Sequence, residues 1–273
     1  MTSLRIGNII KYSLLIFISI LFLTPIYVII VTSLKPLDEV SLTQMWVLPT
    51  SIDFSSYKIA FENLAPNLLN SLLLVIPATI LSALFGAMNG YVLSKWKFKG
   101  SDILFTFILF GMFIPYQSIL IPMIQFLRTI ELYNTIPGLI LVHVVYGLPI
   151  TTLMFRNFYA SIPDEMIESA QIDGASFLGV FRHIIVPLSL IGFVVVGIWQ
   201  FTNIWNEFLF AVTITTGAKQ PVMVALQNLS GSQIVQWNVQ MAGALLAALP
   251  TLLVYIFLGK YFVRGMLAGS VKG

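Results

Sequence analysis

The chain has 273 residues, 58% of them hydrophobic and 9% charged, with a net charge of +3. A soluble domain carries roughly 25% charged residues, so this one cannot clothe a water-facing surface, and its mean hydropathy of +0.94 suits lipid instead. The Lys and Arg residues are scattered, which argues against nucleic acid. The absence of cysteine excludes thiol catalysis, disulfides and thiolate metal sites, and His143 and His183 are too far apart to suggest a metal site by themselves.

A spanning helix needs about 20 apolar residues, and the charges divide the sequence into runs of that size. They predict an all-α integral membrane protein with six transmembrane helices near 12–32, 69–93, 103–127, 137–158, 184–212 and 240–262, in a single transmembrane domain covering 1–273. The first run exceeds a signal-peptide core of about 7–15 residues and ends without a small-residue cleavage site, so it reads as a retained helix. The segment 33–68, with Pro36, Pro49 and the turn-prone Ser51, Ile52 and Asp53, reads as an outer loop. In the second helix Gly86 and Gly90 have the G-x-x-x-G spacing, which favours close helix packing over a substrate role.

Polar residues at membrane depth are the candidates for a pathway. They are His143 and Tyr146 in the fourth helix and Gln200, Asn203, Asn206 and Glu207 in the fifth. Asn203, Asn206 and Glu207 stand at i, i+3 and i+4 and share a face. Amides and aromatics suit a sugar, whose hydroxyls need donors and acceptors. The competing reading is hydrogen bonding between helices, and for Glu207 solvation near the outer end.

The segment 159–183 is predicted to be the longest inner one. Ser161 reads as a cap, Pro163 as a first-turn residue, and Asp164 and Glu165 complement the helix dipole. The helix is predicted to run from Pro163 to about Asp173 and to stop at Gly174. A free helix of about 11 residues is marginal alone, and its small residues Ser169, Ala170, Gly174 and Ala175 leave room for a docking partner. The next segment outside the membrane, 213–239, reads as a further outer loop. With the N-terminus inside, ten Lys and Arg lie on the inner side and four (Lys35, Lys58, Arg128 and Lys219) on the outer side, which places both termini inside. No phosphate-binding G-x-x-x-x-G-K-[ST] loop occurs, so energy for transport has to come from elsewhere.

Glu168-Ser169-Ala170, three residues, Gly174, nine residues, Ile184 and then Pro187 resembles the E-A-A-x3-G-x9-I-x-L-P signature of importer-type ABC permeases, departing at Ser169 and Val186. Thr32 to Pro36, Trp205 to Leu209, Tyr261 to Gly265 and the ending Val271-Lys272-Gly273 are similar to the carbohydrate-uptake branch, in particular the second permease of maltose-type transporters. Ile114 to Ser118 and His143 to Gly147 resemble permeases for glucose-like monosaccharides and small glucosides.

The resemblance implies the type I ABC importer permease fold and a non-enzymatic subunit that couples ATPase closure to alternating access for a sugar. Its implied partners are a second permease, two ATP-binding subunits that hold ATP and magnesium, and an extracytoplasmic sugar-binding protein, in a bacterial plasma (inner) membrane. It implies ATPase coupling by Glu168, Ser169, Ala170, Gly174, Ile184 and Pro187, and contact with the binding protein by Ser230, Gly231, Ser232, Gln233 and Ile234. An ion-coupled secondary carrier is the alternative and would require an intramembrane charge network and broken helices near the midplane.

Overall fold

The computed structural model describes residues 2–96, 98–231 and 235–270, and the elements among them are helical. Lys97, one of the ten inner Lys and Arg, lies outside the described residues, as do Ser232, Gln233, Ile234 and the ending Val271-Lys272-Gly273. Two compact units can be distinguished, Met1–Pro66 with Ala225–Leu249, and Asn67–Val224 with Pro250–Gly273.

In the first unit, α1 spans Thr2–Ser33, and its large apolar side chains from Ile9 to Leu23 are exposed, as a lipid-facing helix requires. The segment that follows is stitched together rather than open. Lys35 is 2% exposed and its Nζ donates to the Gln44 carbonyl at 2.6 Å. Tyr27 Oη donates to the Trp46 carbonyl at 2.9 Å, and Asp53 N–H donates to the Leu34 carbonyl at 2.9 Å. Glu39 accepts from the Thr50 hydroxyl and N–H, which hold its carboxyl below the usual range.

The next helix, α2, spans Ser55–Lys95 and so begins well before the predicted residue 69. The Asp53 carboxylate accepts from Ser55 N–H at 2.8 Å and Ser55 Oγ at 2.6 Å, fixing the start of the helix and lowering the Asp53 pKa. Ser56, Ala60 and Leu64 are buried one turn apart. Lys58 and Glu62 end the apolar run but not the helix, because a helix can continue beyond the hydrocarbon into water.

In the second unit, α3 (Ser101–Phe110) and α4 (Leu120–Thr129) replace the predicted straight helix 103–127. With their flanking 3₁₀ turns they form a pair bent by 90°. Pro115 causes the break, since it pushes Ile114 into an extended conformation (φ −74°, ψ 118°). Helix α5 spans Ile136–Tyr159, close to prediction. Helix α6 spans Asp164–Ile172. Then α7 (Phe177–Val180), a π-helical turn (Phe181–Ile185) and α8 (Val186–Leu188) lead into α9 (Leu190–Asn206) across a 77° bend.

The predicted helix 184–212 is therefore divided, with its last part a separate α10, Leu209–Ile214. Helix α11 (Val222–Leu229) occupies part of the predicted loop 213–239, and α12 spans Trp237–Ser270. Among the described residues four helices are long and apolar enough to cross a membrane, and six spans result if each bent pair counts as one.

Gly86 and Gly90 act as the spacing predicts. A Cβ on Gly86 would strike the Thr151 side chain, and one on Gly90 would lie 2.8 Å from Arg156 N and from Phe155 Cβ. Both glycines thus admit the backbone of α5 against α2.

Candidate functional site

Two places gather the residues singled out by sequence. The first is α6 with its flanks. Ser161 is not its cap, because Ser161 Oγ donates back to the Phe158 carbonyl at 2.7 Å, and Pro163 occupies the N-cap without a side-chain bond. Asp164 and Glu165 lie in the first turn as expected. Gly174 N–H donates to Gln171 O at 3.0 Å and Ala175 N–H to Ala170 O at 2.9 Å, with Gly174 at φ +85°. These two bonds are the Schellman ending, which needs a left-handed residue at the glycine's position.

Burial divides the signature residues. Ile167 is buried, and Ala170 and Ala175 are half-buried against a core containing Tyr91, Phe155, Tyr159 and Ile185. Ala170 therefore faces its own chain rather than the open side. Glu168, Ser169, Gly174 and Ile172 face outward, Ile172 with 86% exposure.

Lys95 at the end of α2, with a side chain 5% exposed, ties the start of α6 down. Its Nζ donates to the Ile162 carbonyl at 2.5 Å and to Asp164 Oδ1 at 2.6 Å.

Ile184 and Pro187 lie beyond α6 in the chain, in the π-helical turn and the bend after it, and Ile184 packs on the same core as Ala170. Val186 N–H reaches back to the Phe181 carbonyl, and Pro187 has no N–H to continue the ladder. Ser189 Oγ closes the bend on the Ile185 carbonyl at 2.6 Å. These two residues shape the entry to α9. Ser230 and Gly231 form the turn that ends α11, with bonds to the Gln227 and Asn228 carbonyls.

The second place is a cavity of about 410 Å³ between α5 and α9, and all six membrane-depth polar residues line it: His143, Tyr146, Gln200, Asn203, Asn206 and Glu207. Gly147 lets the two helices approach, since a Cβ there would overlap the Gln200 amide. Gln200 is buried and its Nε2 donates to Ser82 Oγ at 3.1 Å, the interhelical role foreseen as the alternative. Asn203 Nδ2 donates within its own helix, to the Trp199 carbonyl at 2.8 Å.

Glu207 does not simply point into solvent. Its carboxylate accepts from Phe210 N–H at 2.7 Å and Ala211 N–H at 3.2 Å, so it holds the start of α10. His143 is 6% exposed, and its Nε2 stands 3.8 Å from Glu207 Oε2, beyond hydrogen-bond range.

An aromatic wall completes the cavity. The Phe210 ring lies 5.4 Å from those of Tyr116 and Tyr146 and 5.7 Å from that of His143. Tyr146 Oη donates at 2.8 Å to the Ile114 carbonyl, which Pro115 leaves without a helical partner. The segments Ile114 to Ser118 and His143 to Gly147, distant in sequence, thus meet at one wall. Tyr116, Trp199, Thr202 and Phe210 also line the cavity, although their residue types do not mark them out in the sequence.

Residues 82–268 match the family described as the binding-protein-dependent transport system inner membrane component. The chain belongs to this family. A probable ABC transporter permease protein of Pyrococcus horikoshii is 48% identical over 96% of this chain and 96% of its own length. The xylose/arabinose import permease protein of Haloferax volcanii is 35% identical over 94% of this chain and 91% of its own. Among solved structures, a chain of a bacterial ABC transporter involved in importing the acidic polysaccharide alginate superposes with a TM-score of 0.83 at 22% identity, covering 96% of this chain and 98% of that one. That likeness is one of fold.

Proposed function

We propose that this permease-family chain is one of two membrane-spanning subunits of an ATP-driven sugar importer, with α6 as the element that couples it to ATP-binding partners. The observation that carries this reading is α6 itself, anchored at one end by Lys95 and within by Ile167, closed at the other end by Gly174, and presenting Glu168, Ser169 and Ile172 outward. A helix of nine residues is too short to persist alone in water, so its own chain holds it in a shape a partner can grip. The sugar class is supported by the xylose/arabinose permease among the relatives, and by the amide and aromatic lining of the cavity.

In this reading ATP and magnesium are bound by two partner subunits, and this chain does no covalent chemistry. Closure of the partners displaces α6, and the buried contacts of Ile167 and Ala170 pass that displacement to α2, α5 and the bend before α9. The helices facing the cavity tilt as rigid bodies and change the side from which it is open. An extracytoplasmic sugar-binding protein delivers the substrate and is contacted through Ser230 to Ile234. Both termini lie inside.

The test uses the natural absence of cysteine. In intact cells Ser41→Cys is expected to react with an impermeant thiol reagent and Ser176→Cys is not, while Glu168→Cys cross-links to an ATP-binding subunit. Labelling of Ser176→Cys from outside would reverse the orientation and remove α6 from the side where ATP is available.

A further inference from the structure

The cavity contains a feature that helix packing does not use. His143 is almost wholly buried and lines the cavity, and its Nε2 has no hydrogen-bond partner among the described residues. A buried polar atom left unpaired costs about 1–3 kcal/mol, unless something absent from the chain supplies the bond. Glu207 Oε2 lies 3.8 Å away, a separation that one hydroxyl oxygen can bridge by accepting from Nε2–H and donating to the carboxylate. Beside them stand the rings of Tyr116, Tyr146 and Phe210, an aromatic wall against which C–H groups can pack. The volume, about 410 Å³, lies within the range of small-molecule sites, about 300–1,000 Å³.

The charge of the lining narrows the ligand further. Among the described residues that line the cavity, Glu207 is the only Asp, Glu, Lys or Arg. A sugar bearing a carboxylate would be stripped of water with no cation to pair with and a carboxyl group beside it, an arrangement that strongly disfavours an anion. A neutral polyhydroxylated ring meets no such penalty.

We infer that this subunit itself binds a neutral sugar ring, with one hydroxyl bridging His143 Nε2 and Glu207 Oε2 and the ring packed on the Tyr116, Tyr146 and Phe210 wall, and that it excludes sugars carrying a carboxylate. The inference rests on the importer reading and goes beyond it, since it gives the membrane subunit a discriminating site of its own, separate from selection by a binding protein.

The test is saturation-transfer NMR on the complete transporter in nanodiscs without the binding protein, using D-glucose, D-xylose and D-glucuronate as probes. Transfer is expected to the two neutral sugars and not to glucuronate. His143→Phe, which keeps a ring but loses the nitrogen, is expected to weaken neutral-sugar binding about tenfold, the loss of one hydrogen bond to a buried group. Asn203→Lys, which adds a cation at the cavity rim without touching the Glu207 bonds, is expected to raise glucuronate binding relative to glucose about tenfold.

Unchanged neutral-sugar binding in His143→Phe, or equal binding of glucuronate by the wild type, would overturn the assignment. ATP-dependent sugar uptake with no detectable binding of either neutral probe would overturn the site and leave the importer reading intact. Neutral-sugar binding with no ATP-dependent uptake of any sugar would do the reverse.

Discussion

The α6 segment and the cavity place their chemistry in opposite ways. The start and end of α6 are written within one short stretch, from Ser161 to Ala175, while Lys95 of α2 and the core around Tyr91, Phe155 and Tyr159 hold it in place. The cavity draws on residues from Tyr116 to Phe210, carried by four elements and a proline-induced break. A locally written element can be moved as a unit, which suits a coupling lever. An element assembled from several helices changes whenever any of them tilts, which suits a site that must bind and then release.

The largest expected effect tests the framework both share. Gly90 sits where α2 meets α5, with Phe155 Cβ and Arg156 N each 2.8 Å from an added Cβ. Because backbone atoms are among those neighbours, relief requires the helices to separate, and overpacking of this kind costs about 1–3 kcal/mol or more. Gly90→Val is expected to remove the folded permease from membranes, seen as loss of the band after detergent extraction and size-exclusion. A variant that assembles and transports normally would show that α2 and α5 need not touch this closely.

Next comes Gly174, where strain and docking can be separated. Its φ of +85° disfavours most L-residues with a side chain by about 1–3 kcal/mol, but a Cβ there would meet nothing within 4 Å. Gly174→Asn, which tolerates the left-handed region, is therefore expected to transport nearly as well as wild type. Gly174→Ala is expected to reduce uptake severalfold by loosening the helix end. Gly174→Leu incurs the same strain and adds bulk on the open side, so it is expected to abolish uptake and weaken copurification of the ATP-binding subunit. Equal behaviour of Ala and Leu would leave strain as the whole effect and deny a partner at this surface.

A smaller effect is expected at Lys95. Its bond to the Ile162 carbonyl comes from a buried ammonium and contributes about 1–2 kcal/mol, whereas the ion pair adds little because Asp164 is open to solvent. Lys95→Met is expected to keep ATP hydrolysis and neutral-sugar binding while uptake falls severalfold, because the lever loses its anchor and the cavity does not. Lys95→Arg restores part of the uptake if the anchor is the cause. Loss of sugar binding in Lys95→Met would show that the two regions are not separable in this way.

The same contrast explains what could be read in advance. The bounds of α6 were legible to within a residue because a proline, two acids and a glycine act on their immediate neighbours. The bends at Ile114 and Ser189 were not, since hydropathy runs through them without interruption and only Pro115 and Pro187 mark them. Helix α2 was cut short because Lys58 and Glu62 end an apolar run, although Ser56, Ala60 and Leu64 still bury one face. The polar cavity residues stood out because so few polar groups occur at that depth. Tyr116, Trp199 and Phe210 did not, because aromatics are frequent in this chain (21 Phe, 10 Tyr and 5 Trp), so residue type could not single them out. Their role follows from the 90° bend that brings Tyr116 to Tyr146, a long-range fact that no local pattern records.

The smallest expected effect is at Asn203, and it sharpens the contrast from the other side. Its side chain is exposed at the cavity and its amide N–H bonds only back to the Trp199 carbonyl of its own helix. Such a bond is a minor contribution to helix stability, since the carbonyl already serves the helix ladder. Asn203→Leu therefore is not expected to change assembly, ATPase copurification or basal ATP hydrolysis. What it removes is an amide donor and acceptor facing whatever occupies the cavity, replaced by an apolar group of similar length. A hydroxyl that bonded there is left facing hydrocarbon, at about 1 kcal/mol for an exposed site, which corresponds to roughly a fivefold rise in the sugar concentration needed for half-maximal uptake. Maximal uptake is expected to hold if, as proposed, closure is driven from α6 and not from this helix face. A loss of maximal rate with unchanged half-saturation would place Asn203 in the moving machinery instead of at the ligand, and the division between lever and cavity would fail at this residue.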